Sequence, residues 1–146
     1  MVVVLAVLAL SGCAMLGPNE SERYRDELRL DGFRRVATFF SDGAAQALFV
    51  GPAGADLSSA AHGPSLVVSK DPKPTTNGVF RTVALGTGFS QDSGNCSTTF
   101  WTVEAKSATG YIDGFAKVTD KEAAGLADGS LVGIEAHVVC AAQDDI

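Results

Sequence analysis

Three cysteines and two histidines are the only thiols and imidazoles in this 146-residue chain, so the chemistry open to it is quickly enumerated. Nucleophilic catalysis needs a nucleophile, a base and an orienting acid that meet in space. Ser93 is a nucleophile by residue type, and His62 and His137 are the only imidazole bases available to it. His62 stands beside Gly63-Pro64 and reads as loop punctuation, while His137 falls on the polar face of a strand pattern, where an exposed or hydrogen-bonded role is expected. Asp113, Glu104 and Glu135 can share a sheet without being near one another, so no carboxylate pair is assigned to acid–base work. Without a CxxC or a His-Cys grouping, neither a metal nor a redox cofactor is expected.

Two short motifs point at specific chemistry and fall short of it. Asp92-Ser93-Gly94 resembles the nucleophile tripeptide of chymotrypsin-like proteases, but Gln91 and Asn95 replace the flanking glycines and the chain is too short for two barrels. Gly86-Thr87-Gly88 opens like a dinucleotide fingerprint, yet Gln91 stands at the third glycine position and no helix pattern follows whose N-terminus could hold a pyrophosphate. The segment is expected to be a turn. Catalytic residues are therefore expected to be absent.

The cysteines carry more information. Residues 1–10 (MVVVLAVLAL) are unbroken apolar sequence, about half the ~20 residues a helix needs to span hydrocarbon, and Ser11-Gly12-Cys13 follows at once. That is the layout of a secretory h-region meeting its cleavage site. Leu10-Ser11-Gly12-Cys13 resembles the lipobox of bacterial lipoproteins, a likeness confined to the leader. The resemblance implies diacylglycerol transfer to Cys13, cleavage after Gly12 and acylation of the new amino terminus, a thiolate being the natural acceptor. It departs from the pattern in having no Lys or Arg before the apolar run. Ala14 occupies the position where, in such lipoproteins, Asp favours retention at the inner membrane. In a double-membraned bacterium the resemblance therefore implies an outer-membrane anchor facing the periplasm.

Export would leave Cys96 and Cys140 for pairing, and two cysteines in an exported domain usually form one disulfide. A loop of about 45 residues gives on the order of 4 kcal/mol by the chain-entropy argument. The alternative is two buried reduced thiols.

The elements that must position these residues follow from capping and period. Asn19 and Glu22 are spaced as an N-cap and its capping-box partner after Pro18, predicting a short helix over residues 20–30 closed by Gly32. Glu22 with Arg25, Arg23 with Glu27 and Asp26 with Arg29 are its supportive charge pairs, and Tyr24 with Leu28 its apolar edge. Residues 34–40 and 45–50 are short apolar runs separated by Ser41-Asp42-Gly43, which predicts a hairpin. Residues 51–64 read as a loop with a brief helix around 56–61, and 65–69 as a strand. Residues 70–78 read as an exposed connection interrupted by Pro72 and Pro74. Residues 79–85, 97–106, 111–118 and 131–140 are strand-like, with two helical turns over 120–127 capped by Asp120 or Thr119. In 97–106, Trp101, Val103 and Ala105 are expected on the buried face and Thr102, Glu104 and Lys106 on a wet one. In 131–140, Val132, Ile134, Ala136, Val138 and Cys140 share a face opposite Glu135 and His137.

The fold class is thus mainly β or α+β, a small antiparallel sheet or partly open barrel with a short N-terminal helix. Its organisation is a signal peptide over residues 1–12, a lipid-anchored tether with a short helix over 13–33, and one mainly-β domain over 34–146. Trp101-Thr102-Val103 followed by Gly110-Tyr111-Ile112 resembles the central hairpin of bacterial SH3-like domains, which implies a shallow aromatic surface for peptides or cell-wall fragments. With 17 acidic against 11 basic residues the net charge of −6 repels phosphate backbones, which argues against a nucleic-acid partner.

Three functions from different classes fit. The first is a membrane-anchored envelope lipoprotein, tethered through lipid on Cys13, whose non-enzymatic domain binds an envelope protein or cell-wall partner. The second is an inhibitor of an envelope or cell-wall hydrolase that inserts the loops at 70–78 or 86–95. The third is a small hydrolase in which His62 or His137 has a titratable partner.

Overall fold

The capping box forms as its spacing requires. The Asn19 carboxamide accepts the Glu22 backbone N–H at 2.9 Å, and the Glu22 carboxylate accepts the Asn19 N–H at 3.0 Å. Helix α1 (Glu20–Glu27) starts there. A computed structural model describes residues 19–69, 76–77, 80–91, 94–103 and 118–141. The helix is three residues shorter than its charge pattern predicts, because Leu28 already has an extended backbone. Leu28 and Leu30 are both buried, a spacing of two that a helix cannot bring to one face. The chain instead enters strand β1 (Arg29–Leu30), which pairs with β4 (Ala61–His62).

Strands β2 (Arg34–Ser41) and β3 (Ala44–Pro52) form the expected hairpin. Asp42 and Gly43 have φ of 52° and 78°, the positive pair that a two-residue turn demands if it is to match the twist of the strands. After α2 (Leu57–Ala60), capped by Asp56, come β5 (Val67–Ser69), β6 (Thr76–Asn77), β7 (Phe80–Ser90), β8 (Gly94–Val103), α3 (Asp120–Asp128) and β9 (Leu131–Cys140). Thr119 is the cap of α3, in a second capping box closed by Glu122.

The main sheet has seven strands in the order β2-β3-β9-β8-β7-β5, with β6 also on β7, and every pairing is antiparallel. Strands β2 and β5 lie at opposite ends of this order and do not pair. The result is an α+β fold built on an open antiparallel sheet with a short N-terminal helix, not a closed barrel.

Both faces of the central strands are covered. Phe100, Ile134, Ala136 and Val138 lie on a first face beneath Tyr24 of α1 and Leu28 just after it, with Leu30, Leu57 and Ala61 around them. The second face carries Leu48, Val50 and Val103 against Leu126 of α3. Strand β3 is accordingly buried from Ala44 to Val50. A strand covered on one side only was expected at residues 97–106, and here the structure differs. Cys96, Thr98 and Phe100 are buried on the first face and Val103 on the second, while Trp101 is half-buried beside Phe80, ring centroids 5.8 Å apart at 90°. The grouping of Ile134, Ala136 and Val138 on one face of β9 holds, but Glu135 on the other is buried as well, because α3 and β3 crowd that side.

Helix α1, placed by the sequence reading in the stretch leading to the domain, is packed into this body. Ser21 accepts the Cys140 backbone N–H at 3.0 Å, and the buried Arg25 donates to the Phe39 carbonyl at 3.2 Å. Turning Arg25 inward replaces the expected Glu22–Arg25 pair. Arg23 pairs with Glu20 at 3.1 Å and Arg25 with Asp26 at 2.9 Å.

Candidate functional site

Several residues singled out for chemistry lie outside the described residues: Cys13 with the whole leader, Asp92 and Ser93, Glu104, Asp113, and the stretches 70–75 and 104–117. No helix among the described residues is long and apolar enough to cross a membrane.

Cys96 and Cys140 are directly opposed on β8 and β9, their Cα atoms 4.0 Å apart, and are joined by a disulfide. Their shared face is the first face, as the alternation in β9 implies. The bridge therefore fastens two neighbouring strands at the end of the sheet where α1 begins.

The two histidines occupy unlike settings. His62 Nε2 lies 2.8 Å from Asp31 Oδ2, both side chains exposed, at the foot of the β1–β4 pair. The carboxylate a hydrolase would need is thus present, but among the described residues no serine, threonine or cysteine side chain bonds to this imidazole. Solvent-exposed pairs of this kind contribute little. His137 projects from the second face of β9, opposite Thr99 and Gln46. Burial pushes it below the usual imidazole range, with Asp42 pulling the other way. Among the described residues no group of three His, Cys, Asp or Glu side chains could hold a metal ion.

The Gly86-Thr87-Gly88 segment is neither a turn nor a phosphate loop. It lies in the middle of β7, with Gly86 and Gly88 buried on the first face. A Cβ on Gly88 would coincide with the Tyr24 hydroxyl and come within 2.7 Å of the Pro64 carbonyl. The glycine is there so that Tyr24 can reach across the sheet and donate to that carbonyl at 3.1 Å. Burial, and secondarily Glu27, holds the phenol above its ordinary range. Residues 86–95, expected as an insertable loop, are mostly the paired ends of β7 and β8, with Phe89 exposed near the tip.

What the sequence did not signal is a cavity of about 350 Å³ at the other end of the first face. Its floor is Ala84 of β7 with Val132 and Ile134 of β9, and Phe33 forms a wall. Residues 52–58 roof it. Asp56 stiffens that roof, its Oδ1 accepting the Ser58 N–H at 3.0 Å and the Ser58 hydroxyl at 2.7 Å. Ser69 and Thr102 also line it. The volume lies at the lower end of the range of small-molecule sites. From sequence, residues 51–64 are only a loop rich in Gly, Ala and Ser; which strand face that loop would arch over is a tertiary property.

Compared with protein-family models, with curated proteins and with solved structures, the chain matches none.

Proposed function

We propose that the chain is a lipid-anchored envelope protein, acylated at Cys13 and held at the outer membrane facing the periplasm, whose α+β body works by binding an envelope protein or cell-wall component and not by catalysis. The observation that supports this reading best is the Cys96–Cys140 disulfide in a chain whose first residues end in Leu10-Ser11-Gly12-Cys13. Structural disulfides belong to oxidising compartments, and export is what the leader would provide. One acyl chain holds a protein only marginally at a bilayer; the three implied by a lipobox hold it durably, at about 0.8 kcal/mol per buried methylene.

The test is Cys13→Ser, followed by membrane fractionation and mass analysis. The parent partitions with membranes and carries acyl mass, and the variant is released into the soluble periplasm without it. A variant that remains in the membrane fraction contradicts the anchor.

A second reading, inhibition of an envelope hydrolase, is favoured by one observation: Phe89, next to the last residue of β7, is a large hydrophobic side chain left 58% exposed. Crosslinking from that end of β7 in intact cells separates the two, because capture of a hydrolase there supports inhibition, and Phe89→Ser should then abolish it.

A further inference from the structure

The large hydrophobic side chains left exposed among the described residues all lie toward one end of the sheet. They are Phe40, Val67, Leu85, Phe89 and Val139, between 39% and 71% exposed. Val67, Thr87, Ser97 and Val139 form one row across β5, β7, β8 and β9, with Leu85 two positions back along β7 and Phe89 two positions on. Phe40 stands in the neighbouring row, opposite Ala45, which in turn faces Val138. Alternation puts Val67, Leu85, Phe89 and Val139 on the second face, because Val68, Ala84 and Cys140 belong to the first. Helix α3 covers the other end of that face, where Leu126 packs on Leu48, Val50 and Val103.

The chain enters the body at the same end. Ser21 accepts the Cys140 backbone N–H at 3.0 Å, and the Ser90 hydroxyl donates to the Glu20 carboxylate at 2.9 Å. The first turn of α1 is thus fastened to the residues that follow Val139 and Phe89. Because α1 is packed into the body, only residues 14–18 separate Cys13 from it. Six peptide steps from Cys13 to Asn19 reach about 20 Å even when fully extended. A folded body of this size is roughly 35 Å across. A Cys13 acylated in a bilayer therefore keeps this end of the sheet, and not the α3 end, within reach of the lipid.

We propose that the patch of Val67, Leu85, Phe89 and Val139 rests on the phospholipid surface in which Cys13 is anchored, so that the body is seated on the bilayer by this end instead of swinging on its tether. The seating rests on the acylation of Cys13 and adds a second contact to it. That contact can be weak, because the tether makes it intramolecular. Apolar side chains settle into the boundary between headgroups and acyl chains. Zwitterionic lipid suits the patch, since a chain of net charge −6 is not drawn to anionic headgroups. Seated in this way, the body turns its opposite end, with the cavity under residues 52–58, toward water.

The test uses the acylated chain carrying Thr87→Cys or Ala55→Cys, each labelled with a fluorophore and added to preformed phosphatidylcholine vesicles that contain doxyl-labelled lipid. Thr87 is exposed in the middle of the patch, and Ala55 is exposed at the opposite end of the sheet. Acylation occupies Cys13 and the disulfide occupies Cys96 and Cys140, so the added thiol is the one that reacts. Flotation with the vesicles reads the anchor, and quenching reads the seating. Doxyl lipid should quench the label at 87 roughly threefold more than the label at 55, with aqueous iodide doing the reverse. Phe89→Ser with Val139→Ser should cut the lipid quenching at 87 by about half and leave flotation unchanged. A chain that does not float contradicts the acylation, and the seating falls with it. A chain that floats with equal lipid quenching at 87 and 55, or with quenching at 87 unaltered in the double variant, overturns the seating and leaves the anchor standing. A label at 87 that is shielded from iodide yet not quenched by the lipid is covered by a second copy of the chain, which also overturns the proposal. Should the double variant lose the parent's unfolding transition, Phe89→Ser alone decides.

Discussion

The two faces of the sheet solve the same packing problem by different means. On the first face the covering elements send large side chains deep into the sheet: Tyr24 crosses β7 over Gly88, and Phe33 lies on Gly51 of β3. Among the described residues the second face is covered by Leu126 of α3 over Leu48, Val50 and Val103, and α3 is fastened at its start by a charge pair. The Arg34 guanidinium holds the Glu122 carboxylate with two hydrogen bonds of 2.6 Å. The difference has a functional consequence. Tyr24 fills the end of the first face where α1 begins, and at the other end Phe33 and residues 52–58 enclose the cavity.

If the first face depends on glycine clearances, the largest loss should come from filling one. Gly88→Ala places a methyl group where the Tyr24 hydroxyl sits, against the Pro64 backbone, so neither side can yield cheaply. A destabilisation of about 3 kcal/mol is expected, read as a drop in the denaturant midpoint with an unchanged slope. A midpoint within experimental scatter of the parent would mean that α1 does not depend on Tyr24.

The disulfide comes next. Cys96→Ser with Cys140→Ser releases a loop spanning 44 residues of separation in a place where β8 and β9 are already hydrogen-bonded. Because those strands are already paired, a loss of about 2 kcal/mol is expected, read as a fall in Tm of several degrees.

The second face should respond least, and through pH. Arg34 with its paired hydrogen bonds, aided by the Thr119 cap, lowers the Glu122 carboxyl from 4.5 to about 2. A depressed carboxyl contributes stability above its unfolded value and loses it on acidification, so this contribution is complete above about pH 4.5 and disappears towards pH 2. Arg34 is half exposed, and solvent screening reduces the pair to about 1 kcal/mol. Arg34→Met should therefore cost about that much at pH 7, and the difference from the parent should vanish as acid titration is completed. A difference that stays constant from pH 7 to pH 2.5 would assign the loss to packing of the arginine stem instead.

The same contrast explains what could be read from the chain. The Asp42-Gly43 turn, the Asn19–Glu22 capping box and the span of β9 are local: each depends on residue types within a few positions, and each is found where the sequence placed it, while of the two caps open for α3 the structure uses Thr119. The alternation in β9 put Cys140 on the buried side, and the structure pairs it with Cys96. The readings that needed correction concern what lies across the sheet. Thr102 was assigned to a wet face because it alternates with Trp101 and Val103; it lines the cavity because residues 52–58 arch over it. Gly86-Thr87-Gly88 was assigned to a turn because glycine permits one, whereas its role is set by Leu66 and Tyr24, which come from elsewhere in the chain. The cavity had no local signal at all. His62 was given no partner, and it meets Asp31 through the β1–β4 bridge, a contact that two-residue strands do not announce.

The most direct measurement of the central claim is the intact mass of the protein extracted from the envelope of cells that make it. The account predicts a polypeptide beginning at Cys13, heavier by its acyl groups and lighter by two hydrogens for the Cys96–Cys140 bond, with those two hydrogens regained on reduction. A polypeptide that still carries its apolar leader, bears no lipid and has both thiols free would contradict it.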